Sequence, residues 1–201
     1  MNPLSRELLA PLLDKRPILI AVAGPNGAGK STFYQYFLQD SGLPFVNADL
    51  LAARLKLDAY AGAGFAESIR LELVGLRQSF IFETVFSDPS REKLRFLKRA
   101  AENGYTVVLF FIGTSGPEIS EERVAMRVTQ GGHDVPKEKQ IQRYPRTLAN
   151  LKAAISLLPH VFVLDNSDLR TPYRMIARFE GGEAVFHSEP LPDWLHAVLN
   201  H

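Results

Sequence analysis

Gly24-Pro25-Asn26-Gly27-Ala28-Gly29-Lys30-Ser31, followed by Thr32, fits the pattern G-x-x-x-x-G-K-[ST] of a loop that cradles phosphate. The glycines let successive backbone N–H groups point at one anion, because a side chain there would block the approach. Lys30 offers a point charge to the outer phosphates, and the Ser31 hydroxyl suits a Mg²⁺ ion. The segments on either side agree with this reading. Pro17-Ile-Leu-Ile-Ala-Val-Ala23 is an apolar run of the length of a buried parallel strand, and Ser31 to Gln39 reads as a helix stopped by Gly42. A helix starting at the loop adds its positive N-terminal end to the anion site.

The remaining strands follow from apolar runs at 44–48, 79–83, 105–112 and 160–164, alternating with helical patterns. Phe65, Ile69, Leu73 and Leu76 mark one helix face. Asp88-Pro89 reads as an N-cap with a first-turn proline, opening a helix that runs to Asn103 and stops at Gly104. Further helices are expected at Ser120–Thr129, stopped by Gly131-Gly132, and from about Arg146 to Leu158, ahead of Pro159. Tyr173 to Phe179 and Glu183 to His187 flank Gly181-Gly182 as a β-hairpin, and Pro192 to Leu199 reads as a closing helix. The fold class is α/β: a P-loop NTPase or kinase-like, mostly parallel sheet with helices on both faces and a C-terminal hairpin.

With 201 residues, 46% hydrophobic and 22% charged, the chain has the size and composition of one domain spanning 1–201. A net charge of +1 supplies no basic field for nucleic acid, and no apolar run is long enough to cross a membrane, so neither is expected as a partner. The absence of cysteine excludes disulfides, a thiol nucleophile and cysteine metal sites, and agrees with a cytoplasmic location. The first residues, MNPLSRELLAPLLDKRP, read as a short amphipathic helix packed on the domain and not as a signal peptide.

Phosphate binding leaves the reaction open, so the charged residues at the expected strand ends carry the next step. Asp49, after the second strand, is either a helix cap or a general base that accepts the proton of an acceptor hydroxyl. Glu83, with Thr84 at the end of Phe80-Ile-Phe-Glu83-Thr84, presents a carboxylate to a ligand hydroxyl or a Mg²⁺-bound water, or is an incidental loop acid. Asp165 and Asn166 read as structural or base-side residues. Arg123 and Arg127 lie four apart on one expected helix, ahead of Gly131-Gly132-His133, Arg143 and Arg146. This segment, about 113–146, reads as a hinged lid whose arginines neutralise a transferring phosphoryl group, or alternatively as a solvated face. His133 reads as a capping histidine, and no histidine spacing suggests zinc.

GPNGAGKST, VNAD, FIFET and RVAMRVTQGGHDVPKEKQIQRYPRTLANL together resemble the zeta-toxin kinases, and most closely the small zeta-toxin-like proteins labelled predicted ABC-type ATPases. The resemblance runs from about Ile18 to Asp168. It implies a kinase with Mg-ATP as donor and UDP-N-acetylglucosamine, phosphorylated on a sugar hydroxyl, as the best-known acceptor, with a small antitoxin protein as partner. It places Lys30, Asp49, Arg127 and Arg143 at the reaction. The loop from Gly24 to Thr32, with Arg123 and Arg146, falls on the nucleotide, Asp49, Glu83 and Thr84 on the acceptor, and Ser31 on the metal. The chain departs from the family pattern E-G-T-L-R, carrying Glu83-Thr-Val-Phe-Ser87, so an arginine of the sugar-nucleotide site is missing. A nucleoside or antibiotic kinase, and a non-catalytic ATP-binding switch, share the phosphate features. No LSGGQ-like signature marks a transporter ATPase, and no [NT]KxD motif marks a GTPase.

Overall fold

The computed structural model describes residues 11–119, 123 and 136–200. Seven strands form one sheet: β1 (Ile18–Ala23), β2 (Phe45–Val46), β3 (Phe80–Thr84), β4 (Thr106–Gly113), β5 (His160–Asp165), β6 (Arg174–Glu180) and β7 (Glu183–His187), ordered β2-β3-β1-β4-β5-β6-β7. The first five are mutually parallel, and β6 and β7 add the antiparallel hairpin around Gly181-Gly182. Burial on both faces explains the apolar runs. Along β1, Leu19, Ala21 and Ala23 enter one core while Ile18, Ile20 and Val22 enter the other; β4 splits Val107, Leu109 and Phe111 from Val108, Phe110 and Ile112 in the same way. All five parallel strands point their C-terminal ends at one edge of the sheet, where open α/β sheets bind ligands.

Helices among the described residues include α1 (Lys30–Phe33), α2 (Ala48–Leu55), α3 (Ala59–Gly75), α4 (Glu92–Glu102), α5 (Lys137–Leu157) and α6 (Asp193–Asn200). Several depart from expectation for local reasons. The helix after the phosphate loop is α-helical for one turn and widens into a π-turn at Tyr34–Leu38. That turn stacks the Tyr34 ring on Phe45 at 3.6 Å and leaves Phe37 4.9 Å from Phe33. Strand β2 stops at Val46 because Asn47, still extended, turns its side chain to capping α2, its Oδ1 accepting from Leu50 N at 3.0 Å. Asp88 is not the N-cap residue of α4, which is Arg91, but its carboxylate accepts from Lys93 N in the first turn at 3.3 Å. It closes a turn, its carbonyl accepting from Arg91 N at 3.1 Å and from Asn150 Nδ2 at 3.1 Å, and the helix starts beyond Arg91 in a left-handed conformation.

Helix α3 is rotated from the expected face. Its buried residues are Gly62, Ala66 and Arg70, with Ile69 and Leu73 partly buried, whereas Phe65 and Leu76 are exposed. Small residues at the contact decide this: a side chain at Gly62 would meet Ala52 Cβ of α2 at 2.6 Å. Helix α5 begins nine residues earlier than expected and runs through Pro145. Near its middle it is tied to the residues that follow β4 and β3 by Tyr144, whose hydroxyl donates to Thr114 O at 2.6 Å, and by Thr147, whose hydroxyl donates to Val85 O at 3.1 Å. Burial and the carboxylates of Glu118 and Asp165 push the Tyr144 phenol up to about 12, so it remains a donor. No helix of the described residues is long and apolar enough to cross a membrane.

Candidate active site

The phosphate loop leaves β1 at Gly24 with φ 144°, and a Cβ there would lie 2.1 Å from Ile112 O. Gly29 has φ 92°, and its Cβ would lie 2.7 Å from Asn166 Nδ2 and 2.8 Å from the Tyr173 hydroxyl. Both positions require glycine. The loop is then braced from β5 and the segment beyond it. Asn166 Nδ2 donates to Ala28 O at 2.8 Å, and the Tyr173 hydroxyl donates to Gly29 O at 2.9 Å. Burial raises the Tyr173 phenol, which keeps it protonated for this bond. Asp165, at the end of β5, accepts from Trp194 Nε1 at 3.0 Å and Ser167 Oγ at 2.6 Å. Asp165 and Asn166 therefore both make structural contacts.

Lys30 is 6% exposed and donates to Pro25 O at 2.9 Å. The register of β1 against β3 sets Val22 beside Glu83, so the Glu83 side chain reaches the start of α1. Its Oε2 accepts from Ser31 Oγ and from Asn47 Nδ2, each at 2.8 Å, and its Oε1 lies 3.9 Å from Lys30 Nζ. One carboxylate thus joins the loop lysine, the loop serine and the cap of α2. The structural role of Asn47 was not anticipated from sequence; its position two residues before Asp49, opening a helix, was the available signal.

The loop opens on a cavity of about 550 Å³. Asp49 reaches it from the first turn of α2, Glu83 and Thr84 from β3, and Arg143 and Arg146 from α5. Arg143 and Arg146 are three residues apart on that helix, on neighbouring faces. Asp49 is exposed, so its carboxylate is hydrated, and it is not the helix cap. Arg123 donates to Asn166 O at 2.7 Å and Ser167 O at 3.1 Å, gripping the segment that braces the loop. Arg127 and His133, with most of the expected lid, lie outside the described residues. Arg70 also lines the cavity; as a charged residue on the apolar face of a helix it carried a readable signal, which the rotated face obscured.

The arrangement brings an anion cradle, a carboxylate beside the loop serine, and a second carboxylate and two arginines to the lining of one cavity. The family model described as zeta toxin matches residues 59–175, more than half of the chain. The chain belongs to the zeta toxin family. A protein of Haemophilus influenzae of uncharacterized function is 30% identical over 131 residues, 62% of this chain and 91% of that protein. Among solved structures, the AvrRxo1-ORF1:-ORF2 complex with ATP is similar with a TM-score of 0.64 at 18% identity, over 94% of this chain and 66% of that one. The PezAT chromosomal toxin-antitoxin system of Streptococcus pneumoniae is similar with a TM-score of 0.58 at 16% identity, over 98% and 83%. This zeta toxin family member is a P-loop kinase by family and fold.

Proposed function

We propose that the chain transfers the γ-phosphoryl group of Mg-ATP to a hydroxyl of a small molecule, an amino-sugar nucleotide such as UDP-N-acetylglucosamine being the acceptor to test first. The observation that carries this is the single cavity on which the phosphate loop, Glu83 and Asp49 all open. The glycine-only cradle at Gly24 and Gly29 fits a polyphosphate. Ser31 Oγ and Glu83 are hard oxygen donors suited to Mg²⁺. Among the described residues no group of three or more acidic, histidine or cysteine side chains is placed to hold a metal ion, so in this proposal Mg²⁺ would be held together with the phosphates. Bound Mg-ATP would supply the phosphoryl group and much of the charge neutralisation.

The chain's own residues do the rest. Lys30 would exchange Pro25 O for phosphate oxygens, and Ser31 and Glu83 would hold the metal and its waters. Asp49 would accept the proton of the acceptor hydroxyl as its oxygen bonds to the γ-phosphorus and the bond from that phosphorus to the bridging oxygen breaks, releasing ADP, and would return the proton to solvent. Arg143, with Arg146 and Arg127, would neutralise charge on the transferring group. Asp49→Asn tests this: transfer is expected to be lost while calorimetric ATP affinity stays within roughly a few-fold, because an amide accepts no proton. Parallel loss of ATP binding would give Asp49 a structural role instead.

The same proposal extends to toxicity restrained by a small antitoxin protein in the cytoplasm, where ATP is available. Family membership and the similarity to PezAT support it. Induced wild-type chain is then expected to arrest growth and Asp49→Asn to relieve the arrest; equal growth of both would remove the toxin reading.

A further inference from the structure

Arg70 is 8% exposed on α3, with its guanidinium carbon 5.2 Å from the centroid of the Phe82 ring and 6.0 Å from that of Phe96. The two rings meet edge to face at 6.0 Å. The other buried charges among the described residues are both answered: Lys30 by Pro25 O and Glu83, Asp165 by Trp194 and Ser167. No hydrogen bond or ion pair involves Arg70 among the described residues. Aromatic faces offset only part of the cost of holding a cation away from water, and its N–H donors are left unclaimed. Burial pushes the guanidinium below its ordinary pKa, and the Glu67 carboxylate, exposed on the same helix, pushes it back up without contact. The group lines the cavity that holds Asp49 and Glu83, as does Lys93 from α4.

We infer that Arg70 anchors an oxyanion of the acceptor, a phosphate ester or a carboxylate set apart from the hydroxyl that receives the phosphoryl group. The inference rests on reading this cavity as the acceptor pocket. A guanidinium lying over aromatic rings without a hydrogen-bond partner retains its fork of donors for two parallel bonds to a planar or tetrahedral oxyanion. A neutral acceptor would leave that fork unpaired, so the pocket selects against it more strongly than an apolar pocket selects by size. Arg70 is thus a specificity-determining residue that leaves the reacting atoms to Asp49 and the loop.

The test is calorimetry on the full chain saturated with Mg²⁺ and a non-hydrolysable ATP analogue, so that the phosphate loop is filled. The probes are uridine 5′-monophosphate against uridine, and gluconate against glucose; the first pair reports a phosphate ester and the second a carboxylate. In at least one pair the anion is expected to bind roughly ten- to a hundred-fold more tightly, the range of a charge-assisted hydrogen-bond pair. Arg70→Met should erase that difference, and Arg70→Lys, which keeps the charge and loses the fork, should retain part of it. Without probe, Arg70→Met should melt no lower than wild type, because it removes an unpaired buried cation and keeps the stem on the rings. The inference is overturned if neither anion binds more tightly than its neutral partner. It is equally overturned if the difference survives Arg70→Met, or if Arg70→Lys and Arg70→Met both lower the melting temperature as a structural prop would. Binding is read without turnover, so a chain that shows the Arg70-dependent preference but makes no phosphorylated product defeats the kinase reading alone.

Discussion

Replacing Glu83 by Gln keeps the shape of the side chain and removes the charge that Lys30, Ser31 and Asn47 share. With the Gln carbonyl in the place of Oε2, the Ser31 and Asn47 bonds survive as neutral bonds, each falling from about 1.5–3 to about 0.5–1.5 kcal/mol. The amide nitrogen then takes the place of Oε1, 3.9 Å from Lys30 Nζ, and sets donor against donor. Unit charges at that distance attract by about 4 kcal/mol at an effective dielectric constant of 20. Part of this is offset by the cost of burying both groups, which are 6% and 13% exposed. A net loss of about 2–3 kcal/mol in the nucleotide-free chain is expected, a fall in melting temperature of roughly 4–12 °C for a chain of this size. Adding an ATP analogue without metal should restore part of the loss, because phosphate oxygens replace the missing carboxylate beside Lys30. Adding Mg²⁺ as well should stabilise the variant less than wild type. Thermal denaturation followed by circular dichroism under these conditions measures both effects. A variant with the wild-type melting temperature and the wild-type response to Mg²⁺ would refute the placing of Glu83 as the carboxylate common to the loop and the metal.

Trp194→Phe removes the Nε1–H bond to Asp165 Oδ1 and leaves a buried carboxylate with fewer donors. Urea denaturation should show a loss of about 1–3 kcal/mol, and a change below about 0.5 would remove the bond from the account. For His160, burial is the largest influence and lowers its pKa, against a smaller opposing pull from Glu180. The unfolded chain then takes up the proton first as pH falls, so the stability is present above about pH 6.5 and is lost as pH drops through the folded value. His160→Gln should flatten the decline in stability between about pH 7 and pH 5, and an unchanged slope would count against a neutral, half-buried imidazole.

The sheet was largely legible because burial on both faces turns parallel strands into unbroken apolar runs, as at Ile18–Ala23 and Thr106–Gly113, and because Gly181-Gly182 marks the hairpin. Where side chains redirect the backbone over a few residues, pattern alone misplaced the boundary. Asn47 ends β2 by capping α2, and the turn at Asp88 delays α4 to Glu92. The helix expected from about Arg146 begins instead at Lys137 and passes through Pro145, held by tertiary bonds at Tyr144 and Thr147. At the site, the loop declares itself through glycine chemistry. The bond from Ser31 to Glu83 depends on the β1–β3 register, which no local pattern encodes. Arg70 was hidden because the apolar face was placed on Phe65 and Leu76, the large residues, whereas packing chose the small ones, Gly62 and Ala66.

The most direct measurement of the central claim is mass spectrometry of small molecules after incubation with Mg-ATP and the purified chain. The panel spans amino-sugar nucleotides, nucleosides and aminoglycosides, with Lys30→Ala and Asp49→Asn as paired samples. Wild-type chain is expected to convert one class of hydroxyl compound to its phosphate monoester in proportion to ATP consumed, with no such product from either variant. ATP converted to ADP and inorganic phosphate at a rate no compound changes, or a monoester formed equally by Asp49→Asn, would contradict the account.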